Sequence, residues 1–148
     1  MSDLQKTIQM VENSIRKLGI DPSTCKGEKE GQYSLNRGSA AVWIDVWHIE
    51  KEGRAYFQVM SPIMDVVNVS NKPALYEELL QINDQLFNVA FTLYNNWVWL
   101  KTLREVDSLD ENEIYAQITR VGNYADRYDD ELKQKYNAFQ PPRTGEQA

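Results

Sequence analysis

The segment from Leu75 to Leu103 constrains the fold of this chain most strongly, because the period of its apolar residues changes in the middle. The first half has the three- and four-residue spacing of one helical face, at Leu75, Leu79, Ile82 and Leu86. Pro73 suits the first turn of such a helix, and Ser70 or Asn71 is a candidate N-cap. From Phe87 onward apolar residues alternate with others, which is the period of a β-strand. The segment therefore predicts a helix that leads directly into a strand.

A two-residue turn at Asn95-Asn96 would fold this strand back on itself, since asparagine tolerates a positive φ. Such a turn places Leu93 opposite Val98. One face of the hairpin is then apolar and suits a core, with Val89, Phe91, Leu93, Val98 and Leu100. The opposite face carries Ala90, Thr92, Tyr94, Trp97, Trp99 and Lys101.

Two tryptophans and a tyrosine on this second face are more than a fully solvated sheet needs. Aromatic side chains at such positions are typical anchors of interfaces. The predicted contact surface, between subunits or with another protein, consists of Thr92, Tyr94, Trp97 and Trp99. The alternative is that another element of the same chain covers these side chains.

Two further helices are predicted at the two ends of the chain. The first has Ser2 as a candidate cap and Gly19 as its end, and its apolar face consists of Leu4, Ile8, Val11, Ile15 and Leu18. The second begins where Asp110 and Glu113 have the spacing of a capping box. Its apolar face consists of Ile114, Ile118, Val121, Ala125, Tyr128, Leu132, Tyr136 and Phe139.

A second hairpin is predicted over residues 40–60, with its turn at residues 51–53. This turn would place Trp47 opposite Phe57 and make both faces apolar, so the hairpin is expected to be central and covered on both sides. Pro62 fits a bulge or a strand end. Residues 63–69 are predicted to form a third strand, and residues 33–35 are a further candidate for a short one.

These elements predict an α+β fold in the order α-β-β-β-α-β-β-α, with an antiparallel sheet and helices mainly on one face. A chain of 148 residues is long enough for one domain with a real core. The predicted boundaries are a single domain over residues 1–139 and a disordered tail over residues 140–148.

Composition excludes several functions. The net charge of −6 argues against nucleic-acid binding, which needs clustered Lys and Arg. No apolar run is long enough for a membrane span, and the first residues lack the pattern of a signal peptide. The single cysteine excludes an internal disulfide. The expected location is the cytoplasm.

The sequence predicts no catalytic residue, no metal site and no cofactor. One histidine and one cysteine cannot build a two-histidine or cysteine-rich metal site, and no glycine-rich phosphate loop is present. His48, predicted opposite Tyr56, is interpreted as structural or exposed. Cys25 is interpreted as an incidental thiol whose pKa Lys26 would lower slightly.

Three acidic or amide residues need a separate interpretation. Asp45 lies between two tryptophans on a predicted apolar face, where an unpaired charge is costly. It is expected to pair with a base, to accept buried hydrogen bonds or to lie at the sheet edge. Asn83 and Asp84 are interpreted as the polar end of the central helix rather than as a ligand site.

The order of elements and three sequence segments resemble the YbjN family, which is similar in fold to type III secretion chaperones. The segments are L-L-Q-I-N-D at 79–84, F-N-V-A-F-T-L at 87–93 and W-V-W-L at 97–100. The resemblance spans about residues 4–138, and the cyanobacterial branch is the best match. Proteins of this family are described as sensory transduction regulators. The related chaperones are small, acidic, cytoplasmic homodimers that bind a segment of another protein, so the resemblance implies a homodimer with a protein partner.

The first functional interpretation is a non-enzymatic, chaperone-like or regulatory module that binds a segment of a partner protein. It would bury apolar side chains and could add a strand at a sheet edge. The alternative is a small-molecule sensor or a carboxylate-based enzyme with a pocket between sheet and helices. A closed polar cavity around Asp45 would favour the alternative, whereas an open aromatic surface would favour the first interpretation.

Overall fold

The computed structural model describes residues 2–136, which form three α-helices and five β-strands. In chain order they are α1 Asp3–Lys17, β1 Gln32–Arg37, β2 Ala40–Ile49, β3 Arg54–Asp65, α2 Lys72–Asn83, β4 Ala90–Tyr94, β5 Trp97–Glu105 and α3 Glu111–Tyr136. The predicted α+β order is therefore confirmed. Phe139 and the predicted tail lie outside the described residues, so the boundaries of the domain stay a prediction.

The five strands form one antiparallel sheet in the order β1-β2-β3-β5-β4. α3 crosses β2, β3 and β5, and α1 packs against α3 and β2. α2 contacts β4 at the border of the sheet. The core lies between the sheet and the pair α1 and α3, where Ile15, Ile44, Phe57, Ile114 and Ile118 are fully buried. The expectation of helices mainly on one face is confirmed.

The predicted helix starts are also confirmed. The Ser2 side chain accepts a hydrogen bond from the backbone N–H of Gln5 at 3.1 Å. Asn71, rather than Ser70, caps α2. Asp110 Oδ1 accepts from the N–H of Glu113 at 2.8 Å, while the Glu113 carboxylate pairs with Arg104 instead of closing the capping box.

The β4–β5 hairpin has the predicted register. Asn95 and Asn96 have φ of 51° and 62°, which is the geometry of a two-residue hairpin turn. Leu93 pairs with Val98, and Val98 is fully buried as predicted. Leu93 itself is 52% exposed, so its predicted place in the core is wrong. The reason is that β4 is the last strand of the sheet, so Leu93 has a strand neighbour on one side only.

The register predicted for the β2–β3 hairpin is wrong by one residue. The loop has four residues rather than three, because Ile49 pairs with Arg54 and the N–H of Gly53 donates to the Ile49 carbonyl at 2.9 Å. Trp47 therefore lies opposite Tyr56, and His48 lies opposite Ala55 rather than Tyr56. A shift of one residue moves every side chain of one strand to the other face.

In the observed register the buried and the less buried residues of β2 and β3 lie on opposite faces of the hairpin. The buried face carries Val42, Ile44, Val46, Ala55, Phe57 and Val59. The other face carries Trp43, Asp45, Trp47, Tyr56, Gln58 and Met60. The expectation that this hairpin is covered on both sides is wrong for residues 2–136, since the helices pack on the first face only.

The predicted third strand over residues 63–69 is also wrong. Residues 63–65 continue β3 beyond a bulge at Pro62, where the pairing with β5 shifts between Pro62 and Met64. Of the two alternatives predicted for Pro62, a bulge or a strand end, the structure has the bulge, which suits a residue that cannot donate to the ladder. The third strand before α2 is instead β1, an extension of the short candidate at residues 33–35.

Both borders of the sheet are partly closed by the chain itself. At β4, the N–H of Phe91 donates to Asn83 Oδ1 at 2.7 Å, and Asn83 Nδ2 donates to the Phe91 carbonyl at 3.3 Å. At β1, the N–H of Gly27 donates to the Gln32 carbonyl and the N–H of Ser34 donates to the Cys25 carbonyl. The Asn83 amide thus stands in for a neighbouring strand, which confirms a structural role for this residue.

We expect Asn83→Ala to lower the free energy of unfolding by about 1–3 kcal/mol, because it leaves a donor and an acceptor of Phe91 without partners. Urea denaturation measures the change. Asp84→Ala, at the exposed neighbouring position, is the matched control and should have a much smaller effect. Equal effects of the two changes would show that the amide bridge does not stabilise the fold.

Candidate functional site

No helix of residues 2–136 covers the face of the sheet opposite α1 and α3. We call this surface the aromatic face, and its members are Trp43, Trp47, Tyr56, Met60, Thr92, Tyr94, Trp97 and Trp99. Trp43 is 40% exposed, Trp97 is 37% exposed and Tyr94 is 67% exposed. An apolar surface of this extent on one side of a small protein is typical of an interaction site.

The structure brings the four sequence-predicted contact residues together. Trp97 lies opposite Tyr94, and Trp99 lies opposite Thr92. The Trp99 indole N–H donates to the Tyr94 carbonyl at 3.2 Å, which fixes the orientation of this ring. The centroids of the Trp97 and Trp99 rings are 6.4 Å apart. The turn at Asn95-Asn96 therefore positions all four side chains at the end of one hairpin.

Trp43 of β2 extends this group across the sheet. Its ring centroid lies 5.5 Å from that of Trp99, with the planes tilted by 56°. Met60 of β3 lies directly opposite Trp43. Three tryptophans thus form a continuous row that extends from the outer hairpin across β3 to β2.

A second aromatic pair lies further along β2 and β3. Trp47 and Tyr56 face each other with ring centroids 5.8 Å apart and an angle of 29° between the planes. Sequence reasoning missed this pair and Trp43 because of the one-residue error in register. The alternation of Val42, Ile44 and Val46 with the two tryptophans was the signal that could have found them.

Asp45 lies between the two aromatic groups, on the same face of β2 as Trp43 and Trp47. It lines an open depression of about 310 Å³ with Lys29, Glu30, Gln32, Val46, Trp47 and Gln58. Burial raises the pKa of Asp45, while the nearby Gln32 side chain acts in the opposite direction. Of the three arrangements expected for Asp45, pairing with a base is not found in the described chain, where the half-buried carboxylate lies beside Gln32 and no base lies within 4 Å.

Neither His48 nor Cys25 belongs to a reactive pair within residues 2–136. His48 is exposed, and its Nδ1 lies 3.9 Å from Glu50 Oε1. Burial raises the pKa of Cys25, and the nearby carboxylates of Asp21 and Glu12 raise it further. The expected lowering by Lys26 is therefore wrong. The Lys26 ammonium instead lies 3.9 Å from Glu12. The described residues contain no cluster of three or more His, Cys, Asp or Glu that could hold a metal ion.

Three exposed apolar side chains belong to α2, to β4 and to the loop that joins them. We call them the apolar edge, and they are Leu80, Phe87 and Leu93. Leu80 and Phe87 are each 70% exposed, although α2 buries Leu75 and Leu79 on its other side. The periodicity of the sequence predicted a core position for Leu93 and gave no indication that Leu80 and Phe87 would be exposed. The exposure of these side chains depends on the direction of α2 relative to β4, which the periodicity of a single helix does not determine.

A family model, TY-Chap1, matches residues 5–138 and is described as T3SS (YopN, CesT) and YbjN peptide-binding chaperone 1. The chain belongs to this family. The predicted resemblance to YbjN and the type III secretion chaperones is confirmed, and with it the interpretation as a partner-binding module. The cyanobacterial branch stays a prediction. No curated protein matches the sequence.

Solved structures similar to this TY-Chap1 chain include chains of three protein complexes. A chain of the ExsC-ExsE complex aligns with a TM-score of 0.66 and 15% identity over 89% of this chain and 97% of that one. For a chain of the HopA1-SchA chaperone-effector complex the TM-score is 0.59 and the identity is 10%, and the alignment covers 86% of this chain and 94% of that one. For the structure of the Yersinia pestis type III secretion chaperone SycH with a fragment of YscM2 the TM-score is 0.53 and the identity is 14%. That alignment covers 79% of this chain and 94% of that one. At these identities the similarity establishes a shared fold.

Among the helices of residues 2–136, none combines the length and the apolar character that crossing a bilayer requires.

We expect Asp45→Asn to raise the free energy of unfolding at pH 7, because it removes a charge that burial disfavours. A carboxyl whose pKa is higher in the folded than in the unfolded protein lowers the free energy of unfolding at pH values above its folded-state pKa. This destabilisation is absent at pH values below the unfolded-state pKa, which is near 3.8. The difference in the free energy of unfolding between Asp45→Asn and wild type should therefore shrink as the pH falls towards 3.8. Urea denaturation between pH 3 and pH 7 measures it.

The matched control is Asp130→Asn at an exposed position of α3, which should show no comparable gain. A variant Asp45→Asn that is less stable than wild type at pH 7 would show that the charge of Asp45 is stabilised within the free protein.

Proposed function

We propose that this TY-Chap1 protein is a non-enzymatic chaperone that holds a segment of a partner protein on its aromatic face. The observation that carries the proposal is the continuous row of Trp43, Trp99 and Trp97 on a sheet face that no described helix covers. The family description as peptide-binding supports a polypeptide as the bound group. Removal of this apolar surface from water would drive association.

The dimensions of the face suit a short polypeptide segment. From β2 to β4 the aromatic face spans three strand spacings, which is on the order of 14 Å. An extended segment of about four residues or a helix of about three turns covers this distance. The indole N–H groups of Trp43 and Trp97 have no hydrogen-bond acceptor within residues 2–136, so they can donate to main-chain carbonyls of the segment.

The face is a better binding site than the borders of the sheet. Asn83 occupies the outward N–H and carbonyl of Phe91, and residues 25–27 occupy part of β1. An added strand would find only part of either border free. The partner segment is therefore proposed to lie across the side chains of the sheet rather than to extend it.

The alternative of a small-molecule sensor or carboxylate enzyme is less well supported. It needs a closed polar cavity, whereas the depression at Asp45 is open to solvent. Another depression, of about 640 Å³, lies between the start of α1 and the β2–β3 turn and is also open. Two of its charged residues, Arg54 and Glu105, pair with each other. We propose on these grounds that the protein is not an enzyme.

We further propose a homodimer that forms through the apolar edge. Leu80, Phe87 and Leu93 are exposed at the sheet border, apart from the aromatic face, so one surface can bind a second copy while the other remains free. The proposed location is the cytoplasm, as the acidic composition and the family suggest, and the domain is proposed to span residues 1–139. Nucleic acid is not a proposed partner, because the net charge is −6.

We expect the double change Trp97→Ser and Trp99→Ser to leave the fold intact and to abolish capture of peptides. Both side chains lie on the uncovered face, whereas Val98 and Leu100 between and beside them form the core. The measurement is selection of a displayed library of short random peptides on the full-length protein, with circular dichroism as a test of folding. Leu80→Ser with Phe87→Ser is the control and should retain capture.

If the tryptophan variant unfolds and wild type is monomeric, these side chains belong to the core and the proposed binding surface is wrong. Undiminished peptide capture by a folded tryptophan variant would equally rule out the aromatic face as the site.

We expect Leu80→Ser with Phe87→Ser to convert the dimer to a monomer, because the change removes two large apolar side chains from the proposed interface. Sedimentation velocity measures the change in mass. The variant Trp97→Ser with Trp99→Ser is the control and should remain dimeric. The opposite result, with dissociation of the tryptophan variant only, would identify the aromatic face as the subunit interface.

A further inference from the structure

The position of Asp45 on the aromatic face points to the chemistry of the bound segment. Strand alternation places Asp45 between Trp43 and Trp47, and Gln58 lies opposite it on β3. The carboxylate is half-buried in an open depression. A negative charge thus lies on β2, at one side of the surface that is proposed to bind a polypeptide.

The described chain supplies no cation for this carboxylate. Elsewhere in the protein carboxylates pair with bases, as Glu78 does with Lys135 at 3.0 Å and Glu12 with Lys26 at 3.9 Å. Within residues 2–136, no Lys, Arg or His nitrogen lies within 4 Å of Asp45. Lys29 lines the same depression, but so does Glu30, so the depression keeps a net negative charge.

A carboxylate between aromatic rings is a suitable receptor for a cationic side chain. The ring faces of tryptophan attract Lys and Arg, and the carboxylate accepts a charge-assisted hydrogen bond from them. The Trp43–Trp99–Trp97 row beside Asp45 then receives neighbouring apolar side chains. The overall charge of −6 favours the approach of a basic segment.

We propose that the partner segment carries a Lys or Arg beside apolar residues, and that Asp45 binds this cation while the tryptophan row binds the apolar residues. This inference rests on the proposed function of the aromatic face. Asp45 and Trp43 are two residues apart on β2, a distance of about 7 Å. The cation and its nearest apolar anchor should therefore be two residues apart in an extended segment, or three to four apart in a helical one.

Selection of displayed random peptides on the full-length protein tests the proposal. Wild type and the variant Asp130→Asn, which loses the same charge at an exposed position of α3, should both enrich peptides with Lys or Arg at these spacings from an apolar residue. The variant Asp45→Asn should enrich apolar peptides without that preference. Enrichment without Lys or Arg on wild type, or an unchanged preference on Asp45→Asn, overturns the proposal.

Affinity measurements on one selected peptide give the second test. Asp45→Asn should weaken binding by about tenfold or more, and replacement of the peptide's cationic residue by norleucine should weaken binding to wild type to a similar degree. The two changes together should cost little more than either alone, since they remove the same contact. Additive losses would show that the cation binds elsewhere. Asp45→Lys should in turn prefer the same peptide with Glu at this position.

Two outcomes distinguish failure of this inference from failure of the proposed function. Loss of the charge preference, with capture that still depends on Trp97 and Trp99, overturns the role of Asp45 alone. Peptide capture that is independent of both tryptophans overturns the binding surface itself. Tighter peptide binding by Arg143→Gln would assign Asp45 to the chain's own C-terminal segment and would also overturn the proposal.

Discussion

The packing of α1 and α3 against a single face of the sheet determines the rest of the structure. Side chains alternate along each strand, so every buried residue of β2, β3 and β5 has a neighbour that points away from the core. Val42, Ile44 and Phe57 are buried against the helices. The opposite positions must then be polar, or they must bind something else, and in this protein many of them are aromatic. The aromatic face is therefore a direct consequence of a two-layer fold.

The comparison of the two hairpins shows what sequence reasoning can and cannot determine. At β4–β5 a two-residue turn of Asn95-Asn96 fixed the register, and the orientation of Trp97 and Trp99 was predicted correctly. At β2–β3 the loop contains Gly53 but has no residue that fixes its length. Four loop residues instead of three placed Trp43 and Phe57 on opposite faces. The sequence therefore predicted half of the aromatic face and lost the other half through one residue of register.

Other features depend on contacts between distant segments and had no local signal. The bond between Asn83 and the Phe91 backbone requires the end of α2 to lie beside β4. The exposure of Leu80 depends on the same arrangement. Asp45 was recognised as unusual from its tryptophan neighbours, but the alternatives for its environment could be resolved only when Gln32, Gln58 and the depression were in place. Periodicity predicts which elements form, and tertiary packing decides what their exposed side chains face.

The partial closure of the sheet borders has a consequence for the behaviour of the protein at high concentration. A protein with exposed tryptophans on a β-sheet is at risk of polymerising, since the edge strands of different copies can pair side by side into fibrils. The Asn83 amide at β4 and residues 25–27 at β1 remove main-chain groups that such growth would use. Fewer main-chain groups are therefore free to pair with strands of another copy. A chain with an exposed aromatic face is in this way less prone to act as a template for its own aggregation.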